Sequence, residues 1–231
     1  MADPATVRII PAATARSVRW RNGHGWTREL FCAPAPAPAA AAAPSVDAAA
    51  APWPWRISIA RIDRDAPFSA FPGVDRELML LRGGRLDLQV ADRRIALASR
   101  YARHRFAGER DVAACVPAGG VEVFNLMWRR DLHRARLWHL PLAGALAWRA
   151  DPATTWIVHL LAGHARCGSG AAQAALAAGD TAVLSDASAS GRVSIEGEGA
   201  LLAICLRDRL DAGPDDACAP AGPDPRPGIR S

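Results

Sequence analysis

Residues 76–84, RELMLLRGG, and residues 155–164, TWIVHLLAGH, lie about eighty positions apart and share one design, an apolar run closed by glycine. VEVFNLM at 121–127 stands at nearly the same offset from ALLAICL at 200–206. Two matches at a shared offset indicate repeated architecture. Working outward, further strand-like runs fall at 55–62, 85–90 and 111–116, then at 182–184 and 192–196, with turn signals at Gly163, Gly179-Asp180 and Gly197 to Gly199. Short apolar runs punctuated in this way read as an all-β chain.

AALAAGDTAVL at 174–184 adds a hydrophobic-Gly-Asp-hydrophobic turn of the kind that enters a strand of a double-stranded β-barrel. The expected architecture is therefore a bicupin, two cupin-like double-stranded β-barrels packed together in one chain. Residues 1–140 are expected to supply an N-terminal segment strapped across the first barrel plus that barrel, and residues 141–210 the second. Residues 33–52, APAPAPAAAAAPSVDAAAAP, offer no periodic face to bury and read as a flexible Ala/Pro insertion. Residues 211–231, rich in Pro, Gly and Asp, read as a disordered tail.

A chain of 231 residues, half of them hydrophobic, can bury a substantial core. Its net charge of +5 comes from arginine alone, for there is no lysine. The arginines are scattered among 23 acidic residues instead of being gathered on one face, which argues against nucleic acid as a partner. No apolar run approaches the ~18 residues of a membrane helix, and the N-terminus lacks a signal-peptide core. Five cysteines without a CxxC pair read as reduced thiols, so the expected compartment is the cytoplasm.

Chemistry concentrates in WRNGHGWTREL at 20–30 and FSAFPGVDR at 68–76, where aromatic, glycine and charged residues interleave too densely for a plain amphipathic strand. If 55–60 is a strand, Arg56, Ser58 and Ala60 share one face and Ile57 and Ile59 the other. Arg56 then suits a ligand carboxylate, or else is satisfied by Glu29 or Asp75. Asn22 and Asn125 each offer donor and acceptor together, although Asn22 equally suits the turn before Gly23. Thr27 and Glu29, two apart, face one side of an extended segment. Phe68 and Phe71 wall a pocket or pack in the core, and Arg76 meets either a ligand or Asp75. Trp20 is the tryptophan placed to touch a ligand.

These motifs resemble the HutD/Ves family of bacterial proteins. The resemblance rests on Trp20, Asn22, Gly23, Gly25, Thr27 and Glu29; on Trp55, Arg56, Ser58 and Ala60; on Phe68, Ser69, Phe71, Pro72, Gly73, Asp75 and Arg76; on Phe106 and Gly108; and on Phe124, Asn125 and Met127. Two departures stand out: Val123 replaces an Asp common before Phe-Asn, and the Ala/Pro insertion lengthens a connection, at small thermodynamic cost for a surface loop. The resemblance implies a bicupin that modulates histidine utilisation by binding a small carboxylate intermediate such as urocanate or N-formimino-glutamate.

The expected ligand site comprises Trp20, Asn22, Thr27, Glu29, Arg56, Ser58, Phe68, Phe71, Arg76 and Asn125. No cofactor is expected. The six histidines include no His-x-His pair, and the nearest, His159 and His164, lack the glutamate of a cupin metal set, so no metal is expected either. The partner is a small organic acid, with neither nucleic acid nor membrane, and an exposed sheet edge could join two copies as a homodimer. A metal-independent isomerase or hydrolase with Glu29 as base is the competing class, and a ligand-free interaction scaffold the third.

Overall fold

The structure, a computed structural model, describes residues 6–20, 22–34, 53–149, 152–169, 172–185 and 192–209. In chain order the strands are β1 (Thr6–Ile10), β2 (Arg16–Arg19), β3 (Gly25–Cys32), β4 (Trp55–Ile62), β5 (Ala66–Pro67), β6 (Val74–Arg82), β7 (Leu86–Val90) and β8 (Arg93–Leu97). They continue as β9 (Arg103–Ala107), β10 (Val112–Cys115), β11 (Val121–Arg129), β12 (His133–Arg149), β13 (Thr154–Ser169), β14 (Ala172–Ala177), β15 (Thr181–Ser185) and β16 (Arg192–Asp208). Among the described residues there is no α-helix, only a 3-10 turn at Ala12–Thr14. The chain is the expected all-β bicupin, with two cupin-like units. Most of the Ala/Pro insertion (35–52) and the tail (211–231) lie outside the described residues.

One unit spans Thr14–His133. It contains a six-stranded sheet ordered β2-β3-β4-β11-β6-β9 and a four-stranded sheet ordered β5-β10-β7-β8. Alternation along the strands sets the interior: Ala60 and Ile62 from β4, Leu78 and Leu80 from β6, Val121 and Val123 from β11 all meet Leu86, Leu88 and Val112 of the second sheet in one core. Full burial of such a side chain contributes about 1.5–3 kcal/mol.

The other unit comprises Met1–Ala13 and Arg134–Ser231. Its six-stranded sheet runs β1-β15-β13-β16-β12, with β14 also on β13. The long β13 changes its inward parity along its length: Trp156, Val158 and Leu160 point into the core before a bulge between Leu160 and Ala162, and Ala165 and Cys167 after it. Glycine makes this corner possible. Gly163 has φ +85 and stands opposite Gly199, and a Cβ on Gly163 would lie 1.9 Å from the carbonyl oxygen of Glu198.

The N-terminal segment departs from its expected place. Thr6–Ile10 pairs antiparallel with Thr181–Ser185 and so completes the sheet of the second unit, not the first. Val7 and Ile9 pack on that unit's core, an apolar alternation too short to have identified its partner in advance. The cysteines also divide. Cys32, Cys115 and Cys167 are free, whereas Cys205 is disulfide-bonded, which corrects the expectation of five reduced thiols.

Candidate functional site

Sheet register inside the Thr14–His133 unit brings most of the expected residues onto one inward face. On the two sides of β11, Met127 stands opposite Arg56 of β4 and Arg76 of β6. Cys32 extends this row beyond Arg56, and Phe106 extends it beyond Arg76. The next inward row reads Glu29, Ser58, Asn125, Leu78 and His104 across five strands. A charged and polar layer therefore lies directly on the apolar layer of Ala60, Val123 and Leu80. Strand spacing puts the two arginine backbones roughly 10 Å apart.

Arg76 is only 6% exposed, yet no carboxylate pairs with it among the described residues. Its guanidinium carbon lies 5.0 Å from the ring centroid of Phe68, 5.2 Å from that of Phe106 and 5.6 Å from that of Phe71. Its Nη1 donates to the carbonyl oxygen of Ser69 at 3.2 Å, and its Nε has no hydrogen-bond partner. Burial, with the nearby charge of Arg56 adding to it, pulls the pKa down to about 10, so the group remains cationic at neutral pH. Three ring faces offer about 0.5–2 kcal/mol each to a cation. They cannot replace the solvation of a buried charge, which calls for an anion.

Arg56 is differently placed. Its Nε stands 2.8 Å from Glu29 Oε2, an ion pair whose angle falls outside hydrogen-bond geometry. The alternative in which Glu29 satisfies Arg56 is thus the observed arrangement, and the one with Asp75 is not. Asp75 points away from the row and is engaged by Arg130, with Nε 3.0 Å from Oδ1. The ion pair of Arg76 with Asp75, open on the sequence, is likewise absent. Between the arginines, Ser58 is 1% exposed and Asn125 8%, and among the described residues neither Ser58 Oγ nor Asn125 Oδ1 finds a partner. Each such buried orphan costs about 1–3 kcal/mol unless something enters to meet it.

The loop that brings the rings over Arg76 is held by backbone geometry. Phe71-Pro72-Gly73-Val74 is a turn closed by Val74 N donating to Phe71 O at 3.2 Å, with Gly73 at φ +75, as a type II turn requires. Gly108 lets this loop lie against the end of β9: Phe71 N donates to Gly108 O at 2.8 Å, and a Cβ there would meet Phe71 O at 2.6 Å. Arg130 pins the loop from the other side through Val74 O at 2.9 Å, Asp75 and Glu109. The bond to Arg130 is the chief cause that holds the Glu109 carboxyl below its ordinary value.

Three expected residues serve a different purpose. Trp20 Nε1 donates to Thr27 Oγ1 at 2.8 Å, and a Cβ on Gly25 would meet Arg61 O at 2.2 Å, so the tryptophan, threonine and glycine build the β2–β3 hairpin. Asn22 is exposed in that turn, where its Oδ1 accepts from His24 N at 3.0 Å, and Gly23 has φ +70. Asn22 thus takes the turn role that the sequence left open, and Trp20 and Thr27 spend their polar atoms on each other. Glu29, Arg56, Ser58, Phe68, Phe71, Arg76 and Asn125 do come together.

Phe106, His104 and Cys32 complete the layer but were not singled out as site residues. The alternation of Arg103 and Arg105, which ion-pair with Glu77 on the opposite face, against His104 and Phe106 was the available signal. The His104 ring packs 6.2 Å from Phe106, and burial lowers its pKa, which keeps it neutral at pH 7. Burial is also the first cause that raises the Cys32 thiol, followed by the charge of Glu29. Among the described residues no group of His, Cys, Asp and Glu could hold a metal ion, and no helix is long and apolar enough to cross a membrane.

Protein Ves of Citrobacter koseri is 35% identical over 119 residues, 51% of this chain and 56% of that protein, and Protein Ves of Cronobacter sakazakii is 38% identical over 119 residues, 51% and 58%. The chain thus spans about half the length of the curated relatives it matches. Among solved structures, a conserved protein of unknown function from Pseudomonas aeruginosa PAO1 superposes with a TM-score of 0.72 at 24% identity, over 87% of this chain and 99% of that one. HutD from Pseudomonas fluorescens SBW25 superposes with a TM-score of 0.68 at 21% identity, over 88% and 100%. At those identities the two structures speak for the fold. The HutD family model matches residues 12–203, which take in most of both cupin-like units and every residue of the buried layer, and the chain belongs to the HutD family.

Proposed function

We propose that this chain binds a small organic carboxylate inside the barrel of residues 14–133, and that binding serves a regulatory role in histidine utilisation. The observation that supports the reading is Arg76, a guanidinium 6% exposed with three aromatic rings around it and no carboxylate partner among the described residues. A ligand carboxylate accepting from Nε and a terminal nitrogen supplies the missing counter-charge in the bidentate geometry that guanidinium favours. Ser58 Oγ and Asn125 Oδ1 then meet the polar remainder of the ligand, and a nitrogen donor on it satisfies Asn125. Urocanate and N-formimino-glutamate both combine a carboxylate with such a nitrogen. Glu29 acts in this reading as the partner of Arg56 and not as a base.

Calorimetric titration with urocanate, N-formimino-glutamate and histidine tests the proposal. At least one is expected to bind, and Arg76→Gln to weaken it by about a hundred-fold, in line with the loss of a buried charge-assisted pair. No heat with any of the three, in wild type and variant alike, would overturn it.

A further inference from the structure

We infer that Glu29 is a specificity determinant that restricts this barrel to ligands carrying a single negative charge at the arginine row. The inference deepens the carboxylate-binding reading and rests on it. The two guanidiniums flank the same residue, Met127, one strand to each side, and both face inward. Two cations so placed would form a natural clamp for a dicarboxylate. Only one is open: Arg56 is already neutralised by Glu29 at 2.8 Å, whereas Arg76 has no carboxylate partner among the described residues. The layer of Glu29, Arg56 and Arg76 thus sums to one positive charge.

A monoanion brings that layer to neutrality. A dianion would place its second carboxylate beside Glu29, where like charges repel. Glu29 stands directly across from Ser58, whose neighbour Asn125 offers an unpaired oxygen acceptor. The Glu29 side of the layer therefore presents acceptor and negative charge, which suits a neutral or cationic nitrogen donor. The ligand class is a carboxylate with an N–H group at its other end and no second free acid, which retains urocanate and sets aside N-formimino-glutamate, a dicarboxylate.

Crotonate and fumarate test the charge rule, since they share a four-carbon trans-alkene skeleton and differ by one carboxylate. Their affinities are to be measured by ligand-observed NMR on the full chain, up to tens of millimolar. Wild type is expected to favour crotonate by about five-fold or more, and Glu29→Gln to gain about ten-fold for fumarate while crotonate changes by less than about three-fold. The double variant E29Q/R56Q restores a single positive charge and is expected to return the preference to crotonate. R56Q alone, which makes the layer neutral, weakens both and serves if Glu29→Gln does not fold.

A wild-type preference for fumarate, or a crotonate-to-fumarate ratio unmoved by Glu29→Gln, overturns the charge rule. If Arg76→Gln still abolishes binding in that case, the carboxylate reading stands without it. Absence of binding by either acid in wild type and Glu29→Gln overturns both.

Discussion

The two cupin-like units bury the same kind of strand pair and fill it oppositely. In the unit of residues 14–133, β6 and β11 place Leu80 opposite Val123, Leu78 opposite Asn125 and Arg76 opposite Met127. In the other, β13 and β16 place Leu160 opposite Leu201, Val158 opposite Ala203 and Trp156 opposite Cys205. Row for row, Arg76 corresponds to Trp156 and Asn125 to Ala203. Trp156 is 1% exposed, packs on Trp148 at 5.5 Å and Trp138 at 6.0 Å, and its indole nitrogen donates to Arg149 O at 3.1 Å. One barrel fills these rows with its own apolar side chains, although Trp148 Nε1 in that core also finds no hydrogen-bond partner among the described residues; the other leaves a buried charge and hydrogen-bonding capacity for something else to complete.

Exchange across that correspondence is the sharpest way to break it. Trp156→Arg puts an uncompensated charge into a closed apolar core and is expected to cost about 4–5 kcal/mol or more, read as loss of cooperative urea unfolding or of soluble protein. Next in size is the corner on which the closed barrel depends. Gly163→Ala, at φ +85 and against Glu198 O, is expected to lose about 2–4 kcal/mol, whereas Gly84→Ala, at φ +73 with open space around its Cβ, should lose only about 1–2. Equal losses at the two glycines would show that close packing at the corner is not what matters.

In the open barrel the sign reverses. Arg76→Met removes a buried charge that has no carboxylate partner among the described residues, so the unliganded protein should be unchanged or more stable by about 1–3 kcal/mol while carboxylate binding disappears. Destabilisation of that size instead would make Arg76 a structural residue. Arg130→Ala frees the loop of Phe68 and Phe71 and is expected to cost about 1 kcal/mol, since its partners are half-exposed, and to weaken binding without abolishing it.

The smallest effect belongs to His104. Its folded-state pKa lies below the ordinary 6.5, so the unfolded chain takes up a proton first as pH falls, and the native state loses stability below that value. Melting curves at pH 7 and pH 5 should show a slightly smaller drop for His104→Gln than for wild type.

Much of this was legible in the linear chain for a definite reason. Period-two alternation over 55–60 fixes Arg56, Ser58 and Ala60 on one face whatever the partners, and the same holds for Asn125 with Met127. The loop 68–74 was recognisable by Pro72-Gly73, which needs a specific turn. Trp20, Asn22 and Thr27 were harder, because a hairpin that spends polar side chains on one another and on its own backbone looks, in sequence, like a site that offers them to a ligand. His104 and Phe106 lay in a short run dominated by arginines, which masked their inward parity.

The sequence by itself determined that the chain is a duplicated all-β protein, and it determined that Arg56, Ser58 and Ala60 would share one face of their strand, because side-chain direction follows from backbone alternation alone. Only tertiary structure decided which arginine is already neutralised and which is left open, and that the N-terminal strand joins the second unit. Ion pairs and sheet partners are set by residues far apart along the chain, and a bulge such as that between Glu29 and Phe31 can shift which of them meet.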